Sequence, residues 1–151
     1  MKLTGRTLLA FAFSCVFAHA AHAAPPKYRW GGLTSDHMPG VSFRRQANNI
    51  SSFKAYVPIL CHHSDSTESV VIYSISGDEV PDLLITRGRS NHEFHDDDGS
   101  LGLSAEVSVD IHFQSSTRAR ADIIVVTDPD PETSCSGSIS YERIHRGLRV
   151  R

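Results

Sequence analysis

Apolar and polar residues alternate without exception from Leu101 to Phe113, with apolar side chains at the odd positions and small or polar ones at the even positions. A strand places successive side chains on opposite faces of a sheet, whereas a helix would spread these apolar groups around its axis. The segment therefore predicts a strand, or a bent pair of strands, with one face on a core and the other in water. The residues expected in the core are Leu103, Val107, Val109, Ile111 and Phe113, and those expected in water are Glu106, Asp110 and Gln114.

Five more segments have strand composition, with β-branched and aromatic residues between turn-forming ones. They are residues 52–61, 68–76, 82–86, 119–127 and 135–141. Turn signals recur about every ten to fifteen residues, and no segment after residue 24 has a helical period. The pattern predicts an all-β chain forming a single antiparallel β-sandwich, immunoglobulin-like or jelly-roll-like, of about seven to eight strands. We place this domain at residues 41–145, after an irregular lead-in at 24–40 and before a frayed basic tail at 146–151.

The first 23 residues have the pattern of a secretory signal peptide. Lys2 and Arg6 precede an apolar run from Leu8 to Ala18, and the segment ends in Ala21-His22-Ala23. This run is too short for a bilayer, which requires about 20 apolar residues. We expect a helix detached from the domain before cleavage, and export to the periplasm or the outside of a bacterial cell.

The composition describes a mildly acidic chain. Predicted loss of Lys2 and Arg6 changes the formal net charge from −2 to −4. Nucleic acid and anionic lipid are bound through clustered Lys and Arg, so this balance argues against both as main partners. No apolar stretch after residue 24 is long enough to span a membrane.

The cysteines predict one covalent cross-link. Cys15 lies in the predicted signal peptide, which leaves Cys61 and Cys135 in an oxidising compartment. Both are in phase with apolar positions of predicted strands, so both can face the core. We predict a buried disulfide between two packed sheets, with Cα atoms about 4.4–6.8 Å apart. A redox or metal role for the pair is the alternative.

Four stretches carry a resemblance to other proteins: MPGVSF at 38–43, SFKAYVPILC at 52–61, RARADI at 118–123 and CSGSISY at 135–141. In these stretches the chain resembles small exported bacterial β-sandwich proteins with one cysteine pair. The resemblance covers about two thirds of the exported chain. It implies a sandwich fold and no activity, so no functional residue is assigned from it.

The densest polar cluster, at residues 91–98, contains His92, His95 and Asp96. Imidazoles and carboxylates are ligands for divalent metals. Positions three apart on a strand face opposite sides, however, so the favoured interpretation is a solvated hairpin end. The acidic run at 96–100 lacks the alternate spacing and the closing Glu of a calcium loop. Metal binding stays open as an alternative, and we expect no other cofactor.

A hydrolase triad could be composed from Ser64, either His62 or His63, and a distant Asp. Nothing here resembles a nucleophile elbow, and a polar loop is the favoured interpretation. A disulfide at Cys61 would exclude that sulfur as a nucleophile.

Three aromatic residues near the start, Tyr28, Trp30 and Phe43, offer two interpretations. Exposed rings would form a stacking surface for a sugar or a protein. Buried rings would cover the open end of the sandwich.

These observations favour a non-enzymatic exported domain that binds a protein or a glycan outside the cytoplasm through loops or edge strands. The first alternative is a metal-dependent or hydrolytic protein that uses the His92, His95 and Asp96 loop. The second is a structural envelope component without a specific ligand.

Overall fold

The computed structural model describes residues 24–33, 39–76, 80–97, 102–128, 130 and 132–150. The predicted signal helix and Cys15 lie outside these residues. The described strands are β1 Lys27–Leu33, β2 Pro39–Gln46, β3 Asn49–His63, β4 Glu68–Ile75, β5 Leu83–Leu84, β6 Arg89–Asp96, β7 Ala105–Phe113, β8 Arg118–Thr127 and β9 Thr133–Val150. In these ranges, no helix has the length and apolar character needed to cross a membrane.

The strands form one antiparallel sheet in the order β4-β3-β2-β1-β9-β8-β7-β6, with β5 paired to β3. The antiparallel all-β prediction is therefore confirmed. The sandwich stays a prediction, because hydrogen bonds connect all nine strands into a single sheet.

The two longest strands, β3 and β9, determine how this sheet branches. They pair directly at one end, where residues 60–63 face residues 133–136. Toward the other end they separate, and the β1–β2 hairpin pairs with β9 on one side and β3 on the other. Gly137 lies at the crossing, where a Cβ atom would overlap the Pro58 carbonyl oxygen and lie 2.8 Å from the Ile59 Cα. Beyond it, the Tyr141 hydroxyl donates a hydrogen bond to the Tyr56 carbonyl oxygen at 2.7 Å.

One face of the sheet encloses the core. Alternate residues of β3, β7 and β8 are buried, as the period of two requires. Strands β4 and β6, at the two ends of the strand order, meet where the buried Tyr73 hydroxyl donates to Asp96 Oδ2 at 2.9 Å. The sheet therefore curls so that its inner face closes over the apolar side chains.

The alternation at 101–113 predicts β7 correctly over most of its length. Val107, Val109 and Ile111 are at most 1% exposed, while Glu106 and Gln114 are exposed. Leu103, Phe113 and Asp110 are intermediate. The regular strand begins at Ala105, not at residue 101.

Three segments differ from their predicted structure. The lead-in contains β1, whose residues 27–33 pair with β2. The expected hairpin end at 91–98 is largely β6, which pairs with β7 over residues 89–96. The expected frayed tail is part of β9, which pairs with β1 as far as Val150. Polar or glycine-rich strands lack the alternation of β7, so backbone pairing and not side-chain pattern identifies them.

The Cys61–Cys135 disulfide is present, and both residues are 3% exposed. Its setting differs from the prediction, because the cysteines are direct partners on adjacent strands and do not bridge two sheets. Thr127 Oγ1 contacts both the backbone N and O of Cys135, so these groups point toward β8. The Cys61–Cys135 pair between β3 and β9 is therefore of the narrow, non-hydrogen-bonded kind. This is the reason its Cα separation of 4.0 Å is shorter than the expected range.

Candidate functional site

Seven acids lie toward one end of the sheet and seven Lys and Arg residues lie toward the other, although Glu142 and Asp82 also lie near the second group. We call one end the carboxylate end, defined by Asp65, Glu68, Asp97, Glu106, Asp128, Asp130 and Glu132. The other is the arginine end, defined by Arg29, Arg44, Arg45, Lys54, Arg118, Arg143 and Arg146. In the described ranges, Arg89 is the one arginine that forms an ion pair, and its partner is Asp110.

Two like charges face each other on the outer surface of the arginine end. Arg29 of β1 and Arg44 of β2 are direct cross-strand partners, and both side chains are exposed. Like charges in this position destabilise a sheet, and no carboxylate of the described residues pairs with either one. An anionic ligand would relieve this repulsion.

Beside this pair lies a depression that we call the glycine groove. Gly31 of β1 pairs with Ser42 of β2 and with His145 of β9, so two small residues lie side by side on the outer surface. The groove has a volume of about 540 Å³. Its lining is Arg29, Trp30, Gly31, Gly32, Gly40, Val41, Ser42, Tyr56, His145, Arg146 and Gly147. This volume is in the range of about 300–1,000 Å³ typical of ligand pockets.

Different physical constraints apply at two glycines of the groove, Gly40 and Gly31. At Gly40 a Cβ atom would overlap the Tyr141 ring and lie 2.8 Å from the Gly32 carbonyl oxygen, so packing excludes a side chain there. At Gly31 the nearest atom to an added Cβ would be 3.7 Å away, and the backbone φ is not positive. Packing therefore does not require glycine at Gly31, and its effect is to keep the groove open.

A second cavity, which we call the end pocket, lies next to the groove where the core reaches the end of the sheet. Its volume is about 250 Å³. It is lined by Pro25, Pro26, Tyr28, Trp30, Arg45, Ala47, Ser116 and Arg146. Trp30 and Arg146 line both cavities, which lie on opposite faces of β1.

The predicted stacking surface of exposed rings is not what the structure has. Trp30 and Phe43 are each 1% exposed and stack with ring centroids 5.9 Å apart, and Tyr28 is half-buried. The alternative interpretation, rings that cover the end of the core, agrees with this burial. Arginine side chains lie over these rings, with the Arg45 guanidinium carbon 5.9 Å from the Trp30 centroid and that of Arg146 4.6 Å from the Tyr28 centroid.

The residues of the predicted histidine and acid loop do not come together. On β6, Asp96 is buried and binds Tyr73, whereas His95 is exposed on the opposite face. The third residue, His92, contacts the backbone of Leu84 through Nε2. The described residues contain no group of three or more His, Cys, Asp or Glu side chains arranged to hold a metal ion.

At the carboxylate end, His95 is surrounded by acids. Its Nδ1 lies 3.0 Å from Glu106 Oε1, and its Nε2 lies 3.1 Å from Asp97 Oδ1 and 3.5 Å from Asp128 Oδ2. The hydrogen bond with Glu106, assisted by the charges of Asp128 and Asp97, raises the pKa of His95 above its ordinary value. In its protonated form, His95 therefore links the ends of β6, β7 and β8.

This raised pKa predicts a pH-dependent contribution to stability. The contribution is fully present below the unfolded pKa of about 6.5 and is lost as the pH rises through the higher folded pKa. We expect His95→Gln to lower the melting temperature at about pH 6 and to change it little at about pH 9. The control is His112→Gln, an exposed histidine of β7 without an ion pair in the described ranges. Equal losses at both pH values for His95→Gln would contradict the prediction.

The hypothetical triad around Ser64 does not form. Asp65 Oδ1 accepts hydrogen bonds from the Thr67 backbone N and hydroxyl, and His62 pairs with Glu68. A different serine–histidine contact is present, between His63 Nε2 and Ser69 Oγ at 2.9 Å. The other ring nitrogen of His63, Nδ1, contacts the Thr133 hydroxyl, whereas a triad would have a carboxylate in this position. This arrangement is a set of polar links between β3, β4 and β9.

The chain matches no protein-family model, no curated protein and no solved structure. The site is therefore argued from its own geometry. Sequence reasoning missed Gly31, Arg45 and Arg146 as site residues. One signal was present in the sequence. Tyr28, Trp30 and Gly32 alternate with Arg29 and Gly31, so a strand places Arg29 and Gly31 together on the opposite, exposed face.

Proposed function

We propose that this protein is an exported, non-enzymatic binding domain that takes an acidic glycan in the glycine groove. The sandwich-like layering, the signal peptide and a periplasmic or extracellular location belong to this proposal. The all-β fold and the buried disulfide are compatible with such a compartment.

The observation that carries the proposal is the facing pair Arg29 and Arg44, which has no carboxylate partner among the described residues, beside an open groove. Arg29 faces Arg44, and His145 and Arg146 line the other side of the groove. Guanidinium groups bind carboxylates and sulfates through paired N–H donors, with more geometric specificity than a point charge. A glycan that carries such groups would meet complementary charge along this surface.

Two features favour a glycan over a nucleic acid. Tyr56, at the side of the groove, is 38% exposed and offers a ring on which a sugar could stack. The carboxylate end would repel a long polyanion that extended beyond the arginine end. A short acidic segment in the groove avoids that repulsion.

We expect the exported protein to bind polygalacturonate, a uronic acid polymer, and not neutral galactan. Gly31→Leu should weaken this binding at least about tenfold, because leucine would occupy the groove from a position where the added Cβ atom has its nearest neighbour 3.7 Å away. Arg29→Gln should weaken it about tenfold, the order of a charge-assisted hydrogen bond. Isothermal titration calorimetry at low and high salt measures both effects.

Ser138→Leu is the matched control, since it adds the same side chain on the outer surface of β9 outside the groove. Arg87→Gln, in the β5–β6 turn, is the control for the loss of charge. Both should bind as the original protein does. The proposal is overturned if Gly31→Leu and Ser138→Leu bind equally, or if duplex DNA binds more tightly than polygalacturonate. Loss of polymer binding in all variants would likewise contradict a localised groove.

A further inference from the structure

The end pocket differs from the glycine groove in size and in the side of the sheet that forms it. Its volume of about 250 Å³ is below the lower bound of about 300 Å³ for typical ligand pockets. Its aromatic walls come from the core side of β1, where Tyr28 and Trp30 point. Such a pocket has room for one small group and not for a chain of sugars.

Arg45 brings an unneutralised positive charge into this pocket. Its guanidinium carbon lies 4.1 Å from the centroid of Phe113, and its Nε donates to the Ala47 carbonyl oxygen at 3.1 Å. Its Nη groups have no acceptor within the described part of the chain. Burial lowers the pKa of Arg45, although arginine stays charged in proteins. Holding this cation half-buried without an anion is unfavourable.

Arg146 approaches from the other side of β1. It is the cross-strand partner of Trp30 on β9, and Arg45 is the partner of Tyr28 on β2. The Arg146 guanidinium carbon lies 4.6 Å from the Tyr28 centroid, and no described carboxylate pairs with it. Two guanidinium groups thus extend over the rings of one strand from opposite sides, at the wall of one small cavity.

Trp30 adds an unsatisfied donor. Its side chain is 1% exposed, and its Nε1 has no hydrogen-bond partner among the described residues. A buried donor without a partner is unfavourable. Because the Nε1 atom is itself buried, an oxygen atom of a ligand in the pocket would accept this hydrogen bond only after the Trp30 ring moves.

We propose that the end pocket binds the carboxylate of one terminal uronic acid residue between Arg45 and Arg146, with the sugar ring against Tyr28 and the two prolines. This inference rests on the proposed function, because it takes the ligand to be an acidic glycan and assigns the end of such a chain to a second site, on the other face of β1 from the glycine groove. The groove binds acidic glycan on the outer face of β1, and the end pocket binds a uronic acid terminus on the core side.

The probe is galacturonate, the single acidic sugar, with galactose as its neutral counterpart. Trp30 is the only tryptophan of the chain, so intrinsic fluorescence reports events at the pocket wall. We expect galacturonate to change this fluorescence in a saturable way and galactose not to do so. Arg45→Gln should weaken galacturonate binding at least about tenfold, and Arg45→Lys should restore little, since lysine lacks the paired donors.

The outcomes separate this inference from the proposed function. If polygalacturonate binds and galacturonate leaves Trp30 unchanged, the end-pocket inference is overturned while the groove proposal stands. If galacturonate binds and Gly31→Leu has no effect on the polymer, the groove proposal fails and the pocket stands. Acetate that competes as strongly as galacturonate would show a general anion site and overturn the sugar specificity. Melting curves of Arg45→Gln and Arg45→Lys establish that both variants are folded, and Arg146→Gln provides a second removal of charge.

Discussion

Replacement of both Cys61 and Cys135 by alanine is expected to lower the free energy of unfolding by about 2–5 kcal/mol. The two residues are 74 positions apart, and in the chain-entropy model a loop of that size restricts the unfolded chain by about 4.5 kcal/mol. The bond also joins β3 to β9 at the end where they pair directly. Denaturant unfolding of the oxidised proteins measures the loss.

A double valine variant at the same positions is the matched control. β-Branched residues pack well as direct cross-strand partners, so this variant restores apolar contact without the covalent bond. We expect it to recover only part of the stability. Reductant should lower the melting temperature of the original protein and leave both double variants unchanged. Two free thiols in the denatured, unreduced protein would contradict the disulfide itself.

Gly137→Ala is expected to destabilise the protein by about 1–3 kcal/mol or more, the usual cost of overpacking a tight site. The added methyl group would overlap the Pro58 carbonyl oxygen and lie 2.9 Å from Ile59 Cγ2. The β3 backbone cannot move away freely, because it pairs with β4 at these residues and is linked to β9 by the nearby disulfide. Denaturant unfolding with the disulfide intact measures the change.

Gly31→Ala is the matched control for this substitution. It makes the same chemical change in a strand, where the nearest atom to the new methyl group would be 3.7 Å away. Since alanine also restricts the unfolded chain more than glycine does, we expect Gly31→Ala to be neutral or slightly stabilising. Equal losses for both variants would show that the crossing of β3 and β9 is not as close as described.

Local pattern predicted the strands whose two faces differ in polarity. In β7 and over residues 53–61 of β3 every second residue is apolar, so the face of each residue follows from its parity. The same parity placed Cys61 and Cys135 toward the core, and their pairing is confirmed. What parity could not indicate is that the two cysteines lie on neighbouring strands.

The strands that sequence reasoning missed lack this contrast. β6 carries polar residues on both faces, and Asp96 is buried only because Tyr73 of β4 supplies a hydrogen bond. The end of β9 is basic and exposed, yet its backbone pairs with β1. In both cases the neighbouring strand provides the stabilisation, and that neighbour is distant in sequence.

The candidate site was the least predictable part. Tyr28 and Trp30 were singled out as aromatic residues, but the cations that cover them come from β2 and β9. Arg45 and Arg146 are about a hundred residues apart in the chain. The composition gives only a net charge, to which both contribute and in which the acidic residues offset them. Their convergence requires β1 to lie between β2 and β9.

By itself, the sequence determined the all-β class, the face taken by alternating residues and the inward direction of both cysteines. These properties follow from the two-residue repeat of a strand, which is local. The tertiary structure alone decided the strand order, the close crossing at Gly137 and the meeting of Arg45 with Arg146. Backbone hydrogen bonds are the same for every residue pair, so a local pattern states which face a residue occupies and not which strand lies beside it.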